Sequence, residues 1–186
     1  ASGAITKLQL DFAGHVSETD CSPLSTCFLK GLLEPVLAER VNFVNAPGIA
    51  AQRGLQVETL KNPDGRGYES VIVATAHMRD GTTTEVAGTY FANRESLVGY
   101  NGLPIEIQCT GWMLFISSPD VPGMIGKVGT LLGSHNVNIA SMEVGRYAVG
   151  EQACMVLTVD KEVSDETCAA LCKAVPEIKT AKVVKV

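Results

Sequence analysis

The chain has 186 residues, 46% of them apolar and 19% charged, with a formal net charge of −5. That apolar share supports one large core or two small ones and excludes a disordered chain. The acidic balance argues against nucleic acid or an anionic membrane as partner, and no apolar run approaches the roughly 20 residues that span a bilayer.

The N-terminus, ASGAITKLQL, lacks a basic region followed by an apolar one and lacks an initiating Met. It reads as a processed product or a piece of a longer chain, not as a secretory leader. Leu8, Leu10 and Phe12 then alternate with polar or small residues, the pattern of a half-buried strand. Leu24, Cys27, Phe28, Gly31 and Leu32 recur at helical spacing until Pro35 interrupts them. NAPGIAAQRG predicts a second, short helix stopped by Gly54. After it the pattern turns to β. ESVIVATAHMR and TTTEVAGTYF flank Asp80-Gly81, and SLVGY and LPIEIQ flank Asn101-Gly102. Both dipeptides are hairpin signals.

From about Gly111 the order changes. WMLFIS predicts a strand, and Met124, Ile125, Val128, Leu131 and Leu132 fall on one helical stripe. VNIASMEVGR and QACMVLTVD predict two strands joined by a loop holding Tyr147 and Gly150. SDETCAALCKAV predicts a helix with Ser164 as N-cap and with Cys168, Leu171, Cys172 and Val175 inward. TAKVVKV closes as a strand. The expected fold class is α+β: a mainly antiparallel sheet domain with two helices over 1–110, then a ferredoxin-like βαββαβ domain over 111–186. The short join Cys109-Thr110-Gly111 leaves little room for independent tumbling, with Gly111 as the natural hinge.

The six cysteines are Cys21, Cys27, Cys109, Cys154, Cys168 and Cys172. None forms a C-x-x-C pair and no His stands at ligand spacing from them. Cys168 and Cys172 share a helix face, where a metal or redox role is conceivable; the commoner role of free Cys is that of a small buried hydrophobe. Reduced thiols in a reducing compartment are expected, and no metal site.

The stretch DVPGMIGKVG, residues 120–129, raises a phosphate-loop question. A Walker loop fails on spacing and on the missing hydroxyl after Lys127. A dinucleotide fingerprint fails as well, because Gly123, Gly126, Gly129 and Gly133 are spaced three, three and four apart. That is the spacing of a bare helix face, suited to close approach of a sheet or another chain. Pro122 suits the first turn of the helix. The free N–H groups of that turn favour a carboxylate, Asp120 can accept from an ammonium, and Asn138 can donate and accept. Together they would suit a free amino acid. The commoner roles of the same residues are a helix cap for Asp120 and a turn bond for Asn138.

DVPGMIGKVGTLLGSHNVNIASMEVGR on a βαββαβ plan resembles an ACT domain, a regulatory amino-acid-binding module. LKGLLEPVLAERVNFVNAPGIAAQRG and VAGTYF resemble the intervening, or allosteric substrate-binding, domain of long-form D-3-phosphoglycerate dehydrogenases. The resemblance covers nearly the whole chain in the right order. It implies the C-terminal regulatory portion of an NAD-dependent enzyme of serine biosynthesis. The catalytic and NAD-binding domains would precede this chain, which by itself would hold neither cofactor nor catalytic residues. It also implies that L-serine or a similar amino acid binds between two self-associated ACT domains, at Asp120, Asn138, Ser118 and Gly123. Relatives carry His or Tyr at the position of Ser118 and often Arg at that of Val121. A cationic cluster of the intervening domain falls on uncharged Ser96, Gln108 and Thr158, leaving Arg94 and Arg53 as candidate anion contacts. The implied location is the cytoplasm, or a plastid if a transit peptide was removed. Two other readings stay open: a free-standing amino-acid sensor, and the regulatory part of an iron–sulfur serine dehydratase, for which no cysteines are suitably spaced. His15, His77 and His135 lie in no nucleophile motif.

Overall fold

The structure, a computed structural model, describes residues 4–186. The chain divides into two compact units, one ending at Tyr90 and one running from Phe91 to Val186.

In the first unit the alternation of Leu8, Leu10 and Phe12 is realised in strand β1 (Ile5–Gly14). All three are at most 1% exposed and pack beneath α1 (Ser22–Leu33) and α2 (Ala46–Gln52). Each such side chain contributes roughly 1.5–3 kcal/mol through burial. Helix α1 gives way at Pro35 to a short 3-10 turn, Glu34–Val36. Its buried face is Leu29 and Leu33, so the expected stripe is displaced by about one residue; Leu24 and Cys27 face solvent instead. Gly54, at φ +71, stops α2 in the left-handed conformation that suits glycine.

Strand β2 (Gln56–Asn62), which the hydrophobic pattern does not reveal, then pairs parallel to β1. Strands β3 (Ser70–Met78) and β4 (Thr83–Phe91) continue the order as β2-β1-β3-β4, antiparallel apart from the β1–β2 edge.

The second unit begins with the hairpin β5 (Arg94–Tyr100) and β6 (Leu103–Gln108). Its turn is Asn101-Gly102, both at positive φ (49° and 78°) as a two-residue hairpin requires. There follow β7 (Trp112–Pro119), α3 (Met124–Ser134), β8 (Ile139–Arg146), β9 (Gln152–Val159), α4 (Asp165–Ala174) and β10 (Thr180–Lys185). The sheet order β10-β7-β9-β8 is antiparallel throughout and is the ferredoxin-like plan. Ser164 caps α4, its Oγ accepting from Thr167 N–H at 3.2 Å. One face of the sheet packs with Val128 and Leu132 of α3 and Leu171 of α4 in a hydrophobic core. Ile125 leaves the expected stripe and is 56% exposed.

On the other face of this sheet, Met113, Cys154, Val156 and Thr158 are also buried. The β5–β6 hairpin packs there: β6 contacts β8 and β9, and the Tyr100 and Phe115 rings lie 5.2 Å apart. Gly145 is required at this contact, since a Cβ there would come within 2.6 Å of Ile105 and of the Pro104 carbonyl. Among the described residues no helix is long and apolar enough to cross a membrane.

Candidate functional site

Strand β7 ends at Pro119, and the chain turns through Asp120–Gly123 before entering α3. The N-cap of α3 is Gly123, at φ 89°, and no side chain caps it. Pro122 therefore stands ahead of the helix and not in its first turn, and Asp120 is not the cap. Main-chain bonds fix the turn instead: Asp120 N–H donates to the Glu151 carbonyl at 2.7 Å and Gly150 N–H donates to the Asp120 carbonyl at 3.1 Å. The Asp120 side chain is left for another partner. Arg146 Nη1 donates to its Oδ2 at 2.5 Å.

Sheet register brings that guanidinium. Arg146 ends β8 opposite Ala153 of β9, and Ser118 of β7 faces the same Ala153 from the other side. Ser118, Asp120 and Arg146 thus border one pocket of about 330 Å³ under the start of α3, together with Gly123. Its buried lining is Ser118, Met124, Ala153 and Met155. Val121, Ile125 and Val149 line it too and are exposed aliphatic side chains. The ion pair is accessible, with Asp120 at 21% and Arg146 at 51% side-chain exposure. The first-turn N–H groups of α3 have no helical acceptor by construction. A carboxylate acceptor, a guanidinium donor and a helix start therefore meet in one place.

Three of the residues expected at a site come together here, Asp120, Ser118 and Gly123. Asn138 does not join them within one chain. It precedes β8, whose first residue lies opposite Val159 and level with Trp112 at the start of β7. The length of β8, eight residues, separates it from Arg146, roughly 25 Å at strand rise. There its Nδ2 donates to Asp160 Oδ2 at 2.7 Å. Arg146 carries no local signal, since the register across three strands delivers it.

The candidate anion contacts also separate. Arg53 pairs with Glu39 at 3.3 Å on the surface, an arrangement worth about 0–1 kcal/mol. Arg94 borders a shallow pocket of about 320 Å³ with Ser96, Glu106 and Gln108. Ser96 and Gln108 are direct partners across β5 and β6. Thr158 lies elsewhere, on β9, 2.6 Å from the Ser141 hydroxyl. All six cysteines are free thiols, and burial pushes Cys154 up to about 11 and raises Cys109 and Cys168. Among the described residues no group of three His, Cys, Asp or Glu could hold a metal.

Residues 1–98 match the family model described as the D-3-phosphoglycerate dehydrogenase intervening domain. The chain belongs to this family. Residues 112–174 match the ACT domain model. Among relatives, the D-3-phosphoglycerate dehydrogenase of Synechocystis is 39% identical over 189 residues, covering all of this chain and 33% of the relative. That of Mycobacterium tuberculosis is 33% identical over 174 residues, covering 92% of this chain and 33% of the relative. That of Bacillus subtilis is 32% identical over 181 residues, covering 97% and 34%. The chain thus spans about a third of the length of these relatives and corresponds to the C-terminal part of a phosphoglycerate dehydrogenase.

The residues of this portion do not fit a dinucleotide. Gly126, Gly129 and Gly133 lie along α3 and not in a cradling loop, and nothing stands within 4 Å of a Cβ built on any of them. The same open space shows that these glycines do not bring α3 close to its own sheet.

Proposed function

We propose that this chain is the regulatory region of an NAD-dependent D-3-phosphoglycerate dehydrogenase of serine biosynthesis. On this reading its ACT domain binds L-serine or a similar small amino acid and controls catalytic domains carried elsewhere on the polypeptide. The observation that carries the reading is the Asp120–Arg146 pair at the edge of a pocket beneath a helix start. Asp120 spends one oxygen on Arg146, and Arg146 spends one donor on Asp120. A free oxygen remains for a ligand ammonium, and free guanidinium and helix N–H groups remain for its carboxylate.

Two copies would complete the site. Among the described residues β8 is an edge strand, paired with β9. A second copy added antiparallel along that edge would bring Asn138 of the partner subunit to the Arg146 end, beside the pocket. One ligand would then touch both chains, and its differential affinity for two arrangements of the pair, typically about 1–3 kcal/mol, would set the regulation. On this reading the intervening and ACT portions divide at 110/111, and the signal would leave through the Cys109–Gly111 join. Six unpaired thiols accord with a reducing setting, the cytoplasm or a plastid.

Titration calorimetry and thermal melting with L-serine and glycine test the reading, on the native chain and on Asp120→Ala and Asn138→Ala. Stabilisation by an amino acid is expected in the native chain and is lost in both variants. A response unchanged in both variants rejects the site.

A further inference from the structure

The turn that leads into α2 holds apolar side chains in water. Among the described residues Val44 is the most exposed large apolar side chain, at 92%; Phe43 is 58% exposed and Val36, in the 3-10 turn after α1, is 73% exposed. Lys30 Nζ lies 2.5 Å from Glu34 Oε2 and 5.5 Å from the centre of the Phe43 ring, so the turn and the end of α1 share one tip of the first unit. We infer that this tip is a docking surface, and that its occupant is an apolar recess on the part of the polypeptide that precedes this portion.

The exposure is built into the backbone. Val41 and Ala46, on either side of the turn, are 3% and 0% exposed and belong to the core under α1 and α2. Between them, Asn42 Oδ1 accepts from Val44 N–H at 2.9 Å and from Asn45 N–H at 3.0 Å. Asn45 Oδ1 accepts from Asn42 N–H at 2.7 Å, and Asn45 Nδ2 donates to the Arg40 carbonyl at 2.9 Å. Two carboxamides thus hold the turn, and Phe43 and Val44 cannot fold inward without breaking it. A preformed tip loses little freedom on docking. Grouped apolar side chains left in water mark contact surfaces.

The place of the tip points to its occupant. The chain spans about a third of its relatives and corresponds to their C-terminal part, so about two thirds of each relative lies ahead of the matched portion. That length enters the first unit at the start of β1. Strand β2 runs parallel to β1 with Gln56 opposite Lys7. At its far end Lys61 Nζ donates to the Thr19 carbonyl at 2.5 Å, which puts the start of α1 there. With Leu29 and Leu33 in one core with Leu8 and Leu10, α1 runs back towards the entry. The Phe43–Val44 turn stands at that end, where the preceding polypeptide arrives.

Hydrogen exchange on this chain alone and on the full-length polypeptide tests the inference. It needs no amino-acid ligand, so its failure leaves the site before α3 untouched. The amides of residues 42–45 are expected to exchange about tenfold or more slowly in the full-length polypeptide. The double variant Phe43→Ser/Val44→Ser should abolish that slowing and leave the melting temperature of this chain alone unchanged, because both side chains are already in water. Val44→Thr, which keeps the branched shape, serves the same purpose should the double variant not fold. Equal exchange in the two polypeptides overturns the inference, as does slowing that survives the variants. Slowing that appears in this chain alone as its concentration rises also overturns it, since the occupant is then a second copy.

Discussion

Each unit of the chain holds a carboxylate–guanidinium pair of almost the same length: Asp11–Arg66 at 2.6 Å in the first, Asp120–Arg146 at 2.5 Å in the second. Asp11 sits within β1, its side chain 12% exposed and its Oδ1 buried without a hydrogen-bond partner among the described residues. Arg66 reaches it from the turn before β3, where Asp64 Oδ1 accepts from Arg66 N–H at 2.9 Å. The pair fastens a surface turn to the sheet. Asp120 instead lies on a turn already fixed by main-chain bonds, so its pair has no fastening to do and borders a pocket. Bond length does not separate the two roles. What separates them is the element that carries the arginine: Arg66 lies on a turn, whereas Arg146 ends a strand.

The comparison can be broken from the structural side first. Gly14 ends β1 at φ +79 and ψ −149, a region nearly reserved for glycine, and a Cβ there would run into the Glu69 carbonyl of the same turn. Gly14→Ala is expected to cost about 3 kcal/mol in urea unfolding, and a loss below about 1 kcal/mol would show that the turn is not held tightly. Asp11→Ala should cost about 1–3 kcal/mol and leave amino-acid titrations unchanged. Asp120→Ala should do the reverse, changing stability by less than about 1 kcal/mol while removing the ligand response. A large stability loss there would make the second pair a fastener like the first.

Within the second unit, Cys154 offers a stability handle away from the pocket. Its folded thiol titrates at about 11 against 9.0 for the free group, because burial disfavours the thiolate. The folded state therefore holds its proton longer. The contribution is fully present below pH 9.0 and is lost as pH rises to about 11, at up to about 1.4 kcal/mol per pH unit. Cys154→Ala should flatten that part of the stability–pH profile; an unchanged slope would mean that the site opens to water.

Much of this fold is legible where the signal is local. Asn101-Gly102 and Asp80-Gly81 mark their hairpins because a positive φ constrains residue type directly, and Ser164 marks a helix start through one hydroxyl. β2 is not legible: QVETLKN is exposed along nearly its whole length, so burial imposes no alternation, and main-chain pairing with β1 alone makes it a strand. The candidate site divides in the same way. Asp120 and Gly123 follow from the turn before a helix. Arg146 depends on β8 and β7 both flanking Ala153, and the separation of Asn138 depends on the strand order β10-β7-β9-β8. Neither is written in a window of neighbouring residues.

The β5–β6 hairpin lies over Met113, Cys154, Val156 and Thr158. Anyone dissecting this region for expression would be tempted to cut at Gly111, where the second sheet begins. Such a fragment would lose its lid and present a greasy sheet surface prone to clumping, whereas a start near Phe91 keeps the lid attached and should yield well-behaved material.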